Sequence, residues 1–272
     1  MSRIQFNSVT KSFPLKPGQK WLRSHIGDMA RGDPKRFVAL RDVSFYLGDG
    51  ESVAIVGRNG AGKSTLLNLT AGMLSPDAGS ISVEGRVAPL LELGAGFHGD
   101  LTGRENLTIT AALMGLSRAE IGRKTDAIIG FSGLGDFIDQ PLRTYSAGMT
   151  MRLAFAITAS AEADVVLIDE VLAVGDAAFQ SKCFERILEL KSRGKIFLCV
   201  SHSMAIDQLC DTAIWLDQGA IRAIGPIMEV MDAYRDSLEG SVNIRREEEA
   251  QPRLEYLTVP RVDQVRRRSA TG

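Results

Sequence analysis

Residues 53–65, VAIVGRNGAGKST, limit what this chain can fold into more than any other stretch. An apolar run enters a loop of the form GxxxxGK[ST], Gly57 to Ser64, and a helix-compatible run, KSTLLNLTAGML, leaves it. A strand, a glycine-rich loop and a helix in that order make a cradle for phosphate. Glycines let the backbone close around phosphate oxygens, and the loop N–H groups and helix N-terminus point at negative charge. Lys63 then reaches the terminal phosphates as a catalytic charge, and the Ser64 hydroxyl ligates magnesium. The expected nucleotide-binding residues are Gly57, Arg58, Asn59, Gly60, Ala61, Gly62, Lys63, Ser64 and Thr65.

Such a loop needs a sheet behind it. The runs DVVLID and KIFLCV are short, apolar and partly β-branched, as in strands buried on both faces of a parallel sheet. Helical stretches alternate with them: 117–140, and SAGMTMRLAFAITASA with a serine near its start. The fold class expected is α/β. MSRIQFNSVTKSF reads as a strand, FVALRDVSFYLGDGESVAIVGRNG as two strands around the turn Gly48-Asp49-Gly50, and SISVEGRVAPLLEL as a strand pair. Ser75–Gly79 ends the helix after the loop, AIWLDQGAIRAIG reads as a hairpin, and PIMEVMDAYRDSLE as a final helix. Residues 14–36 form a polar, proline-bounded insertion. Its Trp21, Leu22, Ile26 and Met29 suit one short amphipathic helix, and a plain surface loop is the alternative. Residues 1–240 are expected as one domain. Residues 241–272, with seven arginines and five acidic residues, are expected as a charged disordered tail. Its Arg266-Arg267-Arg268 run reads as a solvated segment rather than a lipid contact.

Carboxylates and histidines supply the remaining chemistry. Asp169 and Glu170 close the apolar run DVVLIDE, at a strand end where α/β sheets bind ligands. Asp169 can hold magnesium through water there, and Glu170 can polarise an attacking water. The histidines are His25, His98 and His202. His202 follows KIFLC at the same kind of strand end, where a structural role and a contact to the terminal phosphate are equally open. Ser146-Ala147-Gly148 opens a helix and makes a second anion site. The formal net charge of -1 argues against a nucleic-acid binder that works by its overall field. Cys183, Cys199 and Cys210 form no CxxC pair and read as reduced, buried thiols. No run of 18 apolar residues occurs, so a role at a membrane requires a partner.

The loop Gly57–Ser64, then YSAGM, VVLIDE, AVGD and VSH in that order, resemble the ATP-binding cassette (ABC) ATPases over residues 1–238. The resemblance implies a P-loop fold with a mainly parallel core sheet, an N-terminal antiparallel β subdomain and a helical subdomain at about 100–160. It implies a homodimer enclosing two ATP molecules with Mg²⁺. Tyr145, Ser146, Ala147, Gly148 and Met149 of one subunit would face the nucleotide of the other, with Ser146 and Gly148 on the γ-phosphate. Asp176 would sit at the dimer seam, His202 would hold the γ-phosphate, and Phe13 would stack on adenine or serve as a plain strand-end residue. RTYSAGM, DEVLAVGD, FQSKC, SHSM and LLELGAGFHGDLTGREN are similar to the ATPase subunits of bacterial polysaccharide exporters, which move O-antigen, capsule or teichoic-acid chains. The insertion at 14–36 resembles an extended loop of O-antigen-type members. Some members add a β-rich carbohydrate-binding domain, for which the tail here is too short and too polar.

This implies an ATPase on the cytoplasmic side of the bacterial inner membrane, peripheral through two copies of an integral permease. The permease would make most of the contact with the polysaccharide cargo. The chain departs from the wider family at Tyr145 and Ala147, where leucine and glycine prevail. Ala147 is tolerable if its φ is negative. Ordinary cassettes also carry a glutamine near residue 92, and no glutamine occurs between Gln19 and Gln140. Within 89–106, PLLELGAGFHGDLTGREN, the expected coupling loop to the permease, either Glu92 or His98 takes that role or the role is absent. Glu92 is also a candidate metal ligand, and Gly94, Gly96 and Gly99 would let the backbone reshape. A small-molecule, lipid or drug exporter ATPase is the nearer alternative. A soluble repair or translation ATPase would show a long heptad insertion or two cassettes, and a P-loop kinase has no use for YSAGM.

Overall fold

Hydrophobic period decides which sheet each strand enters. The computed structural model describes residues 2–15, 36–90, 94, 96–169, 175–200 and 206–250, with 239–250 described by backbone alone. β1 (Arg3–Pro14), β2 (Arg36–Leu47) and β4 (Ala78–Glu84) form an antiparallel sheet in the order β2-β1-β4. β1 and β2 carry buried apolar residues between exposed ones, which suits a sheet with one covered face. Phe6 stacks on Phe45 across this pair, with ring centroids 4.5 Å apart.

β3 (Ser52–Val56), β5 (Val87–Leu90), β6 (Val165–Asp169), β7 (Ile196–Val200), β8 (Thr212–Asp217) and β9 (Ala220–Pro226) form the second sheet, in the order β5-β6-β7-β3-β8-β9. The pairings are parallel except β8 with β9. Alternate residues of the central strands feed two separate cores. Ala54, Val56, Val166, Ile168, Phe197 and Cys199 enter one; Val53, Ile55, Val165, Leu167, Ile196 and Leu198 enter the other. Continuous apolar runs are what a strand covered on both faces requires.

The turn at 48–50 therefore joins two sheets, since β2 pairs with β1 while β3 pairs with β7 and β8. SISVEGRVAPLLEL is likewise no hairpin. β4 pairs with β1, and the apolar β5 lies parallel to β6. The expected hairpin at 213–225 is present as β8–β9.

α1 (Lys63–Thr70) follows the glycine loop and stops four residues before Leu74. α2 (Gly103–Leu113), α3 (Arg118–Ser132), two 3₁₀ turns (Gly135–Asp139, Leu142–Thr144) and α4 (Ala147–Ala159) surround a third core of Leu107, Ile121, Ile128, Leu153 and Ile157. α2 and α3 open on full capping boxes, Thr102 with Glu105 and Ser117 with Glu120. α5 (Ala177–Ser192), the short α6 (Ile206–Leu209) and α7 (Ile227–Ala250) complete the order.

The chain divides into two units, Met1–Tyr234 and Arg235–Gly272. In the second, Arg235–Ala250 is helical, which includes the first ten residues of the stretch expected as a disordered tail. Residues 241–251 hold no proline, and Arg, Glu and Ala are good helix formers. Residues 251–272 and most of the 14–36 insertion, residues 16–35, lie outside the described residues. Among the described residues no helix is long and apolar enough to cross a membrane.

Candidate nucleotide site

β3 delivers the chain to Gly57, and α1 carries it away from Lys63. Side chains are impossible at two points between. A Cβ on Gly57 would sit 2.2 Å from the Leu216 carbonyl oxygen, and one on Gly62 would sit 2.5 Å from that of Ala39. Gly62 also has φ 107°, a conformation that L side chains rarely adopt. The loop is anchored from below, since Ala61 N–H donates to Arg58 O at 3.1 Å and Gly219 N–H donates to Ala61 O at 3.1 Å. Gly62 is the N-cap of α1 and brings no side-chain cap, so the first-turn N–H groups are left facing whatever occupies the loop.

Lys63 is only 8% exposed. Its ammonium donates to the carbonyls of Gly57 at 2.8 Å and Arg58 at 3.2 Å. The charge is thus held at the mouth of the loop. Asn59, Gly60, Gly62, Lys63, Ser64 and Thr65 line a cleft of about 410 Å³, and Asp169 lines it too. Asp169 is there because β6, separated from β3 by β7, ends in register with Val200 of β7. Of the nine expected loop residues, six line the cleft, and Gly57 and Arg58 hold its lysine through their carbonyls. The ninth, Ala61, anchors the loop, and the side chain of Arg58 is exposed.

Phe13 is not on the cleft wall. It faces Phe37 across β1–β2, half-buried, with the Lys11 ammonium 5.6 Å from its ring centre. Phe37, 49% exposed, is the aromatic that lines the cleft. The two are direct partners and share a sheet face, so what separates them is that β2, through Ala39, packs on the loop at Gly62, which a single sequence does not reveal.

A second cavity, of about 490 Å³, gathers Ser146, Gly148, Met149 and Asp176 with Phe137 and Arg152. Ser146 is the N-cap of α4, and its hydroxyl accepts from Met149 N–H at 3.2 Å. Ala147 lies in α4 and has no positive φ, so alanine is unstrained there. Tyr145 turns away from the cavity. Its hydroxyl donates to Phe137 O at 2.6 Å, and its partly buried ring packs on the third core, which raises the phenol pKa by desolvation. Asp176 caps α5 by accepting from Phe179 N–H at 2.9 Å, and its other oxygen takes Arg152 at 2.5 Å. Arg152 also lies 5.0 Å over the Phe179 ring. Sequence reasoning passed over Arg152, although it lies one helical turn after Gly148.

His98 is exposed, and its Nδ1 accepts from Asp100 N–H at 3.4 Å; it does not line either cavity. Glu92, Glu170 and His202 lie outside the described residues. The three cysteines are free and buried, and burial pushes the Cys183 thiol up to about 12, so it carries no reactive thiolate.

The family described as ABC transporter matches residues 40–173. The O-antigen export system ATP-binding protein RfbB of Klebsiella pneumoniae is 45% identical over 248 residues, covering 86% of this chain and 98% of that protein. The teichoic acids export ATP-binding protein TagH of Listeria monocytogenes serotype 4b is 42% identical over 233 residues, covering 85% of this chain and 69% of TagH. A solved dimeric ATP-binding cassette in a post-hydrolysis state, bound to ADP and Pi, matches with a TM-score of 0.65 at 19% identity, covering 82% of this chain and 98% of that one. That last likeness concerns the fold alone. The phosphate loop on its parallel sheet and the identity to RfbB across nearly all of that protein agree: this chain belongs to the ABC transporter family and is an ABC ATPase.

Proposed function

We propose that this chain hydrolyses ATP to drive export of a polysaccharide, of the O-antigen or a similar lipid-linked class, through a separate membrane permease. The observation that carries the reading is a pair of half-sites in one chain. The phosphate-loop cleft and the signature cavity share no lining residue. Beyond its own helix backbone and chain neighbours, a Cβ on Gly148 would meet nothing among the described residues closer than 3.8 Å, so no packing among them requires its smallness. A surface kept bare in this way suits an outside phosphate. Two copies related by a two-fold would place Ser146 and Gly148 of one on the ATP held by the other, with Asp176 at the seam. Kinship to RfbB, an O-antigen export system ATP-binding protein, and to TagH, a teichoic acids export ATP-binding protein, supports the cargo.

In this reading residues 1–240 are the cassette, and two permease copies hold the homodimer at the cytoplasmic face of the inner membrane. Exposed Ile109 and Leu113 on α2, just beyond the coupling stretch, support a permease contact there. Phe37 forms the wall for the adenine. Magnesium fits the site, because the Ser64 hydroxyl and the Asp169 carboxylate are hard oxygen donors on the same cleft. When bound, the ion neutralises charge on the phosphates. Lys63 and the N–H groups of α1 orient the β- and γ-phosphates, Glu170 takes a proton from the attacking water, and His202 steadies the γ-phosphate. Glu170→Gln then lowers hydrolysis by about 10²–10⁴-fold with ATP binding retained.

The test is genetic. Disruption of the gene in its host should remove the surface polysaccharide and leave lipid-linked chains inside, with rescue by the parent and not by Lys63→Ala. Unchanged surface glycan would overturn the cargo while leaving the ATPase untouched.

A further inference from the structure

We infer that residues 97–103 position the signature serine, through a backbone ladder to residues 140–143 and a close contact between Gly103 and Tyr145. This rests on reading Ser146 as the contact to the partner subunit's ATP.

The loop is folded around one buried amide. Asn106, 2% exposed, accepts from His98 N–H at 2.7 Å and donates toward the carbonyls of His98, Leu101 and Thr102 at 3.0, 3.2 and 2.9 Å. So braced, the loop pairs with the segment before the signature. Gly103 N–H donates to Gln140 O at 3.2 Å, Leu142 N–H to Leu101 O at 2.9 Å, and Arg143 N–H to Gly99 O at 2.8 Å. Arg143 adds a 2.7 Å ion pair to Asp100.

The ladder ends on Tyr145, the neighbour of Ser146. Tyr145 N–H donates to Leu142 O at 2.9 Å. Its hydroxyl lies so near Gly103 that a Cβ there would be 2.2 Å away. Helix α2, which opens at Gly103, and the cap of α4 are thus held by one phenol. Leucine, usual in the wider family at this place, has no hydroxyl to donate to Phe137 O. Any displacement of 97–103 is carried to Ser146 by hydrogen bonds and hard contact. The end of the coupling stretch and the partner-facing cap therefore move as one piece, and Tyr145 and Gly103 are positioning residues.

The experiment measures steady-state hydrolysis and single-chain nucleotide affinity in full-length protein. Gly103→Ala should slow hydrolysis by about 10–100-fold, the scale of an ångström-sized misplacement. Its affinity for a fluorescent ATP analogue, read at protein concentrations below dimerisation, should stay at the parent value. Tyr145→Phe alone keeps the ring, folds around it, and should raise KM for ATP while leaving that affinity unchanged. Adding Tyr145→Phe to Gly103→Ala removes the closest contact and leaves those to Ile138 at 3.0 Å, so hydrolysis should rise well above that of Gly103→Ala, toward the level of Tyr145→Phe. Parent-like hydrolysis in both single variants, or no rescue in the pair, overturns the inference. Ser146→Arg separates the two readings. If it hydrolyses normally, the partner-contact reading fails and takes the ladder with it; if it is inactive while Gly103→Ala is not slowed, only the ladder fails.

Discussion

Arg152 and Asp176 tie α4 to the start of α5 within one subunit, and a double-mutant cycle on them measures that tie. Asp176 does two jobs, capping α5 through Phe179 N–H and binding Arg152. Loss of a cap costs about 1 kcal/mol. The side chains are 26% and 62% accessible, and with Arg152 part-buried the pair falls in the upper part of the range for screened pairs, about 0.5–1 kcal/mol. Asp176→Ala should therefore lose about 1–2 kcal/mol. Asp176→Asn keeps a good cap and should lose about 1 kcal/mol or less. Arg152→Ala loses the pair and the stacking over Phe179, a contact of about 0.5–1 kcal/mol at such sites. Urea unfolding of the parent, both single variants and the double should give a coupling energy of about 0.5–1 kcal/mol. The coupling should shrink at 1 M salt, where the Debye length falls to about 3 Å. Additivity within about 0.3 kcal/mol, or an Asp176→Asn variant as unstable as Asp176→Ala, would refute the two-job account.

Three further outcomes are expected. Lys63→Ala removes the buried ammonium and should weaken ATP binding in calorimetry; an unchanged Kd would remove the lysine from the site. Phe37→Ala should weaken binding of adenine nucleotides by about 1–3 kcal/mol, the range for base–aromatic stacking, while Phe13→Ala should not. The reverse ranking would return the role to Phe13. Hydrogen bonds from the Ser12 hydroxyl and N–H, then Lys11, hold the Asp77 carboxyl well below its usual range. A lowered folded pKa gives stability that is present above the unfolded value and lost as pH falls through the folded one. The stability advantage of the parent over Asp77→Asn should then be constant near neutrality and shrink below about pH 4, with a pH-independent difference counting against the network.

What was legible in the chain follows from how local each feature is. The phosphate loop reads cleanly because strand, loop and helix are contiguous, and Asp169 reads because an apolar run ends on it. Phe37 and Phe13 look alike in sequence, since each is an aromatic at the edge of a strand. They pair directly across β1 and β2, and only the packing of Gly62 on Ala39 of β2 separates them. β4 and β5 looked like a hairpin because they are neighbours in the chain, yet β5 has no polar face to give to solvent and so joins β6. The capping boxes at Thr102 and Ser117 were signals present in the sequence that mark α2 and α3. The brace at Tyr145 could not be read, because it joins residues more than forty positions apart.

Helix α4 belongs to two interiors at once. Leu153, Ala156 and Ile157 lie in the core of the helical region, while Phe155 and Ala159 lie in the core against the parallel sheet. The helical region is therefore not a cartridge. A chimera cut at the loops on either side of it would carry α4 away from half of its packing partners. Grafts between related ATPases should keep α4 together with β6 and α5, and exchange only what lies before the signature serine.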